Sequence, residues 1–151
     1  MKHLVAKAIV TLPFFALLFL GIVPNVHAQP SCSNANLNGS FGYTNTGTII
    51  TGPDAGPFGG VGRQTFDGKG NTQATATVSV NGNIFHVTIK GAYVVNPDCT
   101  GSMVLTVTVG PETFTNHVDL VVVHSGTEFH AINTDPGSVI TTVGKKQFLD
   151  Q

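Results

Sequence analysis

The feature of this sequence that most constrains its fold is the even spacing of its turn signals. Between residues 51 and 137, seven short segments contain glycine, most of them beside proline, asparagine, aspartate or serine, the residues that favour turns. No ten-residue stretch between them keeps the apolar spacing of an amphipathic helix. The sequence therefore predicts an all-β protein whose strands form successive antiparallel hairpins. The eight predicted strands are residues 39–50, 57–66, 72–80, 83–95, 101–109, 112–123, 127–133 and 138–148.

The hairpin at Asn81-Gly82 shows which face of the sheet is buried. This dipeptide is the strongest two-residue hairpin signal, because both positions of a type I′ turn need a positive φ. A turn there places Val78 opposite Phe85 and Ala76 opposite Val87. One face of the hairpin is then apolar and the other mostly polar, as a half-buried sheet requires.

In the predicted strand 112–123, the pairings with both neighbouring strands assign the same residues to the apolar face. Its pairing with the strand before it and its pairing with the strand after it select the same even-numbered positions, such as Val118 and Leu120, for the apolar face. A slip of one residue would have broken this agreement. We therefore expect an eight-stranded up-and-down barrel, since closure removes both sheet edges, with a two-layer β-sandwich as the alternative.

Residues 1–28 have the pattern of a secretory signal. Basic residues precede the apolar stretch 8–23, and Val26-His27-Ala28 fits the small-x-small cleavage rule. The sequence predicts a single domain over residues 29–151. We expect it to be secreted or periplasmic, with no stable membrane anchor, because no basic stop-transfer cluster follows the apolar stretch.

The cysteines and the charge balance fit this export prediction. Cys32 and Cys99 are an even pair in a predicted exported domain, which favours a disulfide. Without the two lysines of the predicted signal, five basic residues remain against eight acidic ones, a net charge of −3. Nucleic acid is therefore not an expected partner, since no positive excess exists to neutralise phosphates.

Four residues on the polar face of two adjacent predicted strands are the candidates for a metal site. They are His117, Asp119, Glu128 and His130. The two histidines lie four positions apart along neighbouring strands, roughly 13 Å at the usual rise per residue, which is too far to share an ion. Asp119 and His130 are diagonal neighbours within reach of each other. The sequence therefore predicts no metal site, and it calls for no cofactor.

Three segments resemble a group of uncharacterised small exported proteins of environmental bacteria. They are residues 32–43, 62–71 and 91–101, and the resemblance covers most of the predicted mature chain. It implies a small antiparallel barrel similar to calycins and allene oxide cyclase-like barrels. Gly39-Ser40-Phe41 is also similar to the Gly-x-Trp motif of lipocalins.

Three functional hypotheses follow from the sequence. The first is a non-enzymatic exported barrel that binds a small apolar molecule in its interior; the second is a structural or interaction module with a filled core. The third is an enzyme of the cyclase or isomerase type, which rests on the barrel analogy alone and is the least favoured, because no serine or cysteine has the context of a nucleophile. The sequence leaves the ligand, the oligomeric state and the biological role open. The candidate ligand-binding residues are Phe41, Tyr43, Ala76, Val78, Phe85, Val87, Met103, Leu105, Phe114, Leu120 and Phe129, with Ala74, Ile89 and Val118 as further inward positions.

Overall fold

The structure is a computed structural model that describes residues 31–148, so the predicted signal and its cleavage site lie outside the described residues. Its strands are joined in chain order into one closed antiparallel barrel. The last strand pairs with the first, so no sheet edge is left, and the sandwich alternative is wrong. The strands are β1 (Asn38–Ile49), β2 (Gly56–Asp67), β3 (Asn71–Val80), β4 (Asn83–Val95), β5 (Thr100–Val109), β6 (Glu112–Val123), β7 (Glu128–Asn133) and β8 (Ser138–Lys146).

The predicted strand registers are confirmed. In the hairpin of β3 and β4, Val78 lies opposite Phe85 and Ala76 opposite Val87. Both turn residues, Asn81 and Gly82, have positive φ (48° and 89°), as a type I′ turn requires. The alternation of apolar and polar residues therefore places the expected side chains inside the barrel.

The connection between β6 and β7 is longer than predicted but keeps the predicted register. It includes a short 3₁₀ turn at His124–Gly126 in which His124 and Ser125 also have positive φ. Leu120 nevertheless lies opposite Ala131, as expected. Only Thr127 leaves the predicted strand 127–133, so the strand pairing is unchanged.

Four aromatic side chains fill one end of the barrel, which we call the closed end. Phe41, Phe66, Tyr93 and Phe129 are almost fully buried. The centroids of their neighbouring rings lie between 5.0 and 5.7 Å apart, in mostly edge-to-face arrangements. Such pairs add stability beyond the burial of their apolar area.

The segment before β1 covers this closed end. Its 3₁₀ turn, Asn34–Asn36, is followed by the fully buried Leu37. The Tyr93 hydroxyl lies 2.8 Å from the Leu37 carbonyl oxygen and 3.0 Å from that of Asn34. The predicted disulfide between Cys32 and Cys99 is present and ties the segment to the turn after β4. In residues 31–148, no helix has the length and apolar character needed to span a membrane.

Candidate functional site

The other end of the barrel, which we call the open end, holds a cavity of about 450 Å³. Its lining includes loop residues such as Asp54 and Pro136, so the cavity reaches the surface at the strand ends. A smaller pocket of about 80 Å³ shares part of this lining and continues towards Gln64 and Met103. The larger volume lies within the ~300–1,000 Å³ range of small-molecule sites. Its apolar wall consists of Ile49, Phe58, Val78, Val80, Phe85, Val87, Ile89, Val107, Val109, Phe114 and Ile140.

Two polar side chains of β1 lie where the cavity meets the deeper pocket. Tyr43 and Asn45 line both volumes, and Tyr43 is only 5% exposed. The Tyr43 hydroxyl and the Asn45 Oδ1 atom are buried without a hydrogen-bond partner among the described residues. A buried polar group without a partner costs roughly 1–3 kcal/mol. Among the described residues that line the cavity, Tyr43 and Asn45 are therefore the two that hold a buried polar atom without a hydrogen-bond partner.

Glycines in β2 provide the space for these two side chains. Gly62 lies opposite Tyr43, and Gly60 lies opposite Asn45. A Cβ atom at Gly62 would lie 2.7 Å from the Tyr43 ring, and one at Gly60 would lie 2.5 Å from Asn45 Oδ1. Glycine inside a strand marks such close approaches. This signal was present in the sequence, but it became interpretable only once the partner strand was known.

Burial determines the chemical state of the Tyr43 phenol. Desolvation raises the pKa of Tyr43 from 10.0 to about 12, because a low-polarity environment disfavours the charged form. At neutral pH the phenol therefore keeps its proton. It can donate or accept a hydrogen bond, but it does not serve as a general base.

The mouth of the cavity carries negative charge. Asp54, Glu112 and Asp135 belong to its lining, which contains no lysine, arginine or histidine among the described residues. Asp135 accepts hydrogen bonds from the His117 backbone N–H (2.6 Å) and from its Nδ1 (2.8 Å). These bonds hold the pKa of Asp135 below its usual range. No salt bridge of the described residues involves Asp54 or Glu112.

The four candidate metal ligands do not come together. His117 contacts Asp135, while His130 Nε2 lies 2.9 Å from the Glu128 carboxylate on its own strand. Asp119 is in neither pair, so the diagonal contact with His130 does not form. Among residues 31–148, no group of three or more histidine, cysteine, aspartate or glutamate side chains could hold a metal ion. The contact between His117 and Asp135 was missed, because Asp135 lies in a turn whose path the sequence does not specify.

The candidate ligand-binding residues fall into three groups. Phe85 and Phe114 lie at the mouth, where they are 37% and 48% exposed. Tyr43, Val78 and Val87 line the cavity and are buried, and Met103 and Leu105 line the deeper pocket. The others, Phe41, Ala76, Leu120 and Phe129, are buried in the core and line neither volume.

Sequence reasoning missed the polar part of the lining. Asn45, Asn116 and Asn133 line both the cavity and the deeper pocket. The available signal was their register: Asn116 lies opposite the inward Leu105, and Asn45 is two positions from Tyr43 on the same strand. Polar residues at inward-facing positions of a barrel strand indicate a site that is not a plain apolar core.

Comparisons with known proteins add little to this description. No protein-family model matches the chain, and no curated protein matches it. A solved structure described as "EF1p2_mFAP2b bound to DFHBI" is similar to it, with a TM-score of 0.48 and 15% identity, covering 79% of this chain and 100% of that one. The fold and the site together define a small closed antiparallel β-barrel with an interior cavity. Membership of the particular group of exported proteins that the sequence resembles stays a prediction.

Proposed function

We propose that this protein binds a small, mainly apolar molecule in the cavity at the open end of its barrel. The observation that carries the proposal is an apolar cavity of about 450 Å³ with two buried, unpartnered polar atoms, on Tyr43 and Asn45. Sites for small molecules combine mostly apolar walls with a few placed polar groups. The disulfide between Cys32 and Cys99 is compatible with the oxidising, exported location that the predicted signal indicates.

The two polar atoms define what the ligand must offer. Asn45 Oδ1 accepts a hydrogen bond, so the ligand needs an N–H or O–H donor near it. The Tyr43 hydroxyl can donate to the same group or accept from it. A ligand that satisfies both atoms removes the cost of leaving them buried without partners. An apolar body with one hydroxyl, amine or amide group meets these requirements.

The other two hypotheses account for less of the structure. A structural module with a filled core fits the aromatic closed end but leaves the open-end cavity without a role. An enzyme would need groups with useful protonation states that converge on the substrate. The raised pKa of Tyr43 keeps its phenol protonated, and the carboxylates of the lining, Asp54, Glu112 and Asp135, lie at the mouth. We therefore favour binding without catalysis.

The test is calorimetric titration of naphthylmethanol, an apolar ring with one hydroxyl, into the full exported chain with its disulfide intact. We expect saturable 1:1 binding, weakened roughly five- to tenfold by Tyr43→Phe because one hydrogen bond is lost. Thr44→Val is the matched control, since it also removes one hydroxyl from β1, but on the exposed outer face. Native mass spectrometry of protein from its own host, before and after solvent extraction, then identifies the natural ligand. Failure to bind, or equal loss of affinity in both variants, would contradict the proposal.

A further inference from the structure

The polar groups along the cavity favour one sign of charge. At its inner end, the lining residue Asn45 holds a buried hydrogen-bond acceptor, its Oδ1 atom, that has no partner among the described residues. At its mouth, Asp54 and Glu112 present carboxylates that form no salt bridge with any residue of the described chain. The third carboxylate, Asp135, is hydrogen-bonded to His117. The lining within residues 31–148 contains no cationic side chain to offset the other two.

A hydrophobic carboxylate is a poor fit to these groups. Its charge would approach the Asp54 and Glu112 carboxylates, and low-polarity walls strengthen such repulsion. Deeper in the cavity, the Tyr43 hydroxyl and the amide groups of Asn45, Asn116 and Asn133 can donate hydrogen bonds to it, but none of them carries a positive charge. A buried anion without a cationic partner is strongly disfavoured.

An ammonium group meets the opposite situation at each depth. It has three N–H donors, and the unpartnered Asn45 Oδ1 and Tyr43 oxygen atoms of the lining residues are both acceptors. On its way in, and at any position near the mouth, it is attracted by the carboxylates of Asp54 and Glu112. Cavity shape alone does not distinguish an amine from an acid of the same size, but the carboxylates at the mouth and the polar groups of the lining do.

We infer that the ligand of this barrel is a small hydrophobic amine and that hydrophobic carboxylates of the same shape are discriminated against. This inference rests on the proposed binding function and adds the chemical class of the ligand. Tyr43, 95% buried with its hydroxyl unpartnered, is the observation that points to a ligand independently of the acidic mouth.

The test compares three probes that share one ring system: naphthylmethylamine, naphthylmethanol and naphthoic acid. Each is titrated calorimetrically into the full exported chain at neutral pH and low salt. We expect the amine to bind most tightly and the acid least tightly, with a gap of roughly tenfold or more between them, since each exposed ion pair changes affinity by up to about fivefold. Added salt should weaken the binding of the amine and leave the affinity for the alcohol unchanged.

The double variant Asp54→Asn with Glu112→Gln separates charge from shape. It should reduce the gap between amine and acid to about threefold or less. Asp119→Asn is the matched control, because Asp119 is exposed on β6 and does not line the cavity. This control should keep the full gap.

The outcomes distinguish a failure of the amine inference from a failure of the proposed binding function. If the alcohol binds but the acid binds as tightly as the amine, the amine inference is overturned and small-molecule binding stands. The inference is also overturned if the gap persists in the double variant, because the carboxylates would then not cause it. If none of the three probes binds, the proposed binding function fails, and the inference fails with it.

Discussion

Replacing each of the two buried tyrosines by phenylalanine removes the same single oxygen atom, yet the structure predicts opposite effects on stability. Tyr43 and Tyr93 are 5% and 2% exposed, so both hydroxyl groups are withdrawn from water. They differ in their partners. The Tyr93 hydroxyl contacts the carbonyl oxygens of Leu37 and Asn34, whereas the Tyr43 hydroxyl has no partner among the described residues.

The magnitudes follow from these contacts. Tyr93→Phe removes a hydrogen bond and takes this donor away from the buried Leu37 carbonyl oxygen, so the free energy of unfolding should fall by about 1–3 kcal/mol. Tyr43→Phe removes a buried hydroxyl that forms no hydrogen bond to offset its loss of hydration, so the free energy of unfolding should rise by about 1 kcal/mol. For a domain of this size, about 1 kcal/mol shifts Tm by roughly 4 °C. The two variants should therefore melt roughly 8–16 °C apart.

The assay is urea unfolding of ligand-free protein with its disulfide intact, followed by far-UV circular dichroism, because the chain contains no tryptophan. The m-values of both variants should equal that of the parent protein, which shows that the unfolded states are comparable. A loss of 1 kcal/mol or more in Tyr43→Phe would mean that its hydroxyl has a partner inside the barrel, and it would refute the reasoning. In the binding assay the same variant should lose affinity, so that stability and binding change in opposite directions.

Three further predictions concern the disulfide, a glycine and the pH dependence. Reducing the bond between Cys32 and Cys99, which are 67 positions apart, should lower the free energy of unfolding by about 4 kcal/mol; an unchanged urea midpoint after reduction would argue against this. Gly62→Ala should lower the free energy of unfolding by about 1–3 kcal/mol through overpacking, because its Cβ atom would lie 2.5 Å from a backbone oxygen of β3. Gly59→Ala is the control and should be close to neutral, because the nearest atom to its Cβ would be 4.0 Å away. Equal losses of stability in the two variants would contradict the close approach at Gly62. The pKa of Asp67 is lowered from 3.8 to about 2 by hydrogen bonds within its own turn, so its stabilising contribution is present above pH ~4 and is lost as the pH falls towards 2. Asp67→Asn should remove that part of the acid dependence of the urea midpoint, and an identical acid profile in the variant would count against it.

The strands and their pairing could be predicted because they depend on local chemistry. Asn81-Gly82 favours a type I′ turn by its own backbone preferences, and that turn sets the register of β3 and β4. The side-chain period of two then assigns each residue to one face. In β6, two independent pairings had to agree, which left a single register. Barrel closure followed from the need to remove sheet edges.

The division of the interior could not be predicted in the same way. Phe41 and Tyr43 are successive inward positions of one strand, yet Phe41 lies in the aromatic cluster and Tyr43 lines the cavity. Height along the barrel decides this, and it depends on which end is covered. The segment before β1 covers the closed end through the disulfide and through Tyr93, contacts that join residues about sixty positions apart.

The sequence by itself therefore determined which residues form strands, which neighbours they pair with and which side chains point inward, because these properties follow from turn geometry and a two-residue period. Only the tertiary structure decided which inward residues surround empty space and which polar atoms are left without partners. Gly62 illustrates the reason. Its role depends on Tyr43, which lies opposite it on the neighbouring strand and nineteen positions away in the sequence, and only folding brings the two together.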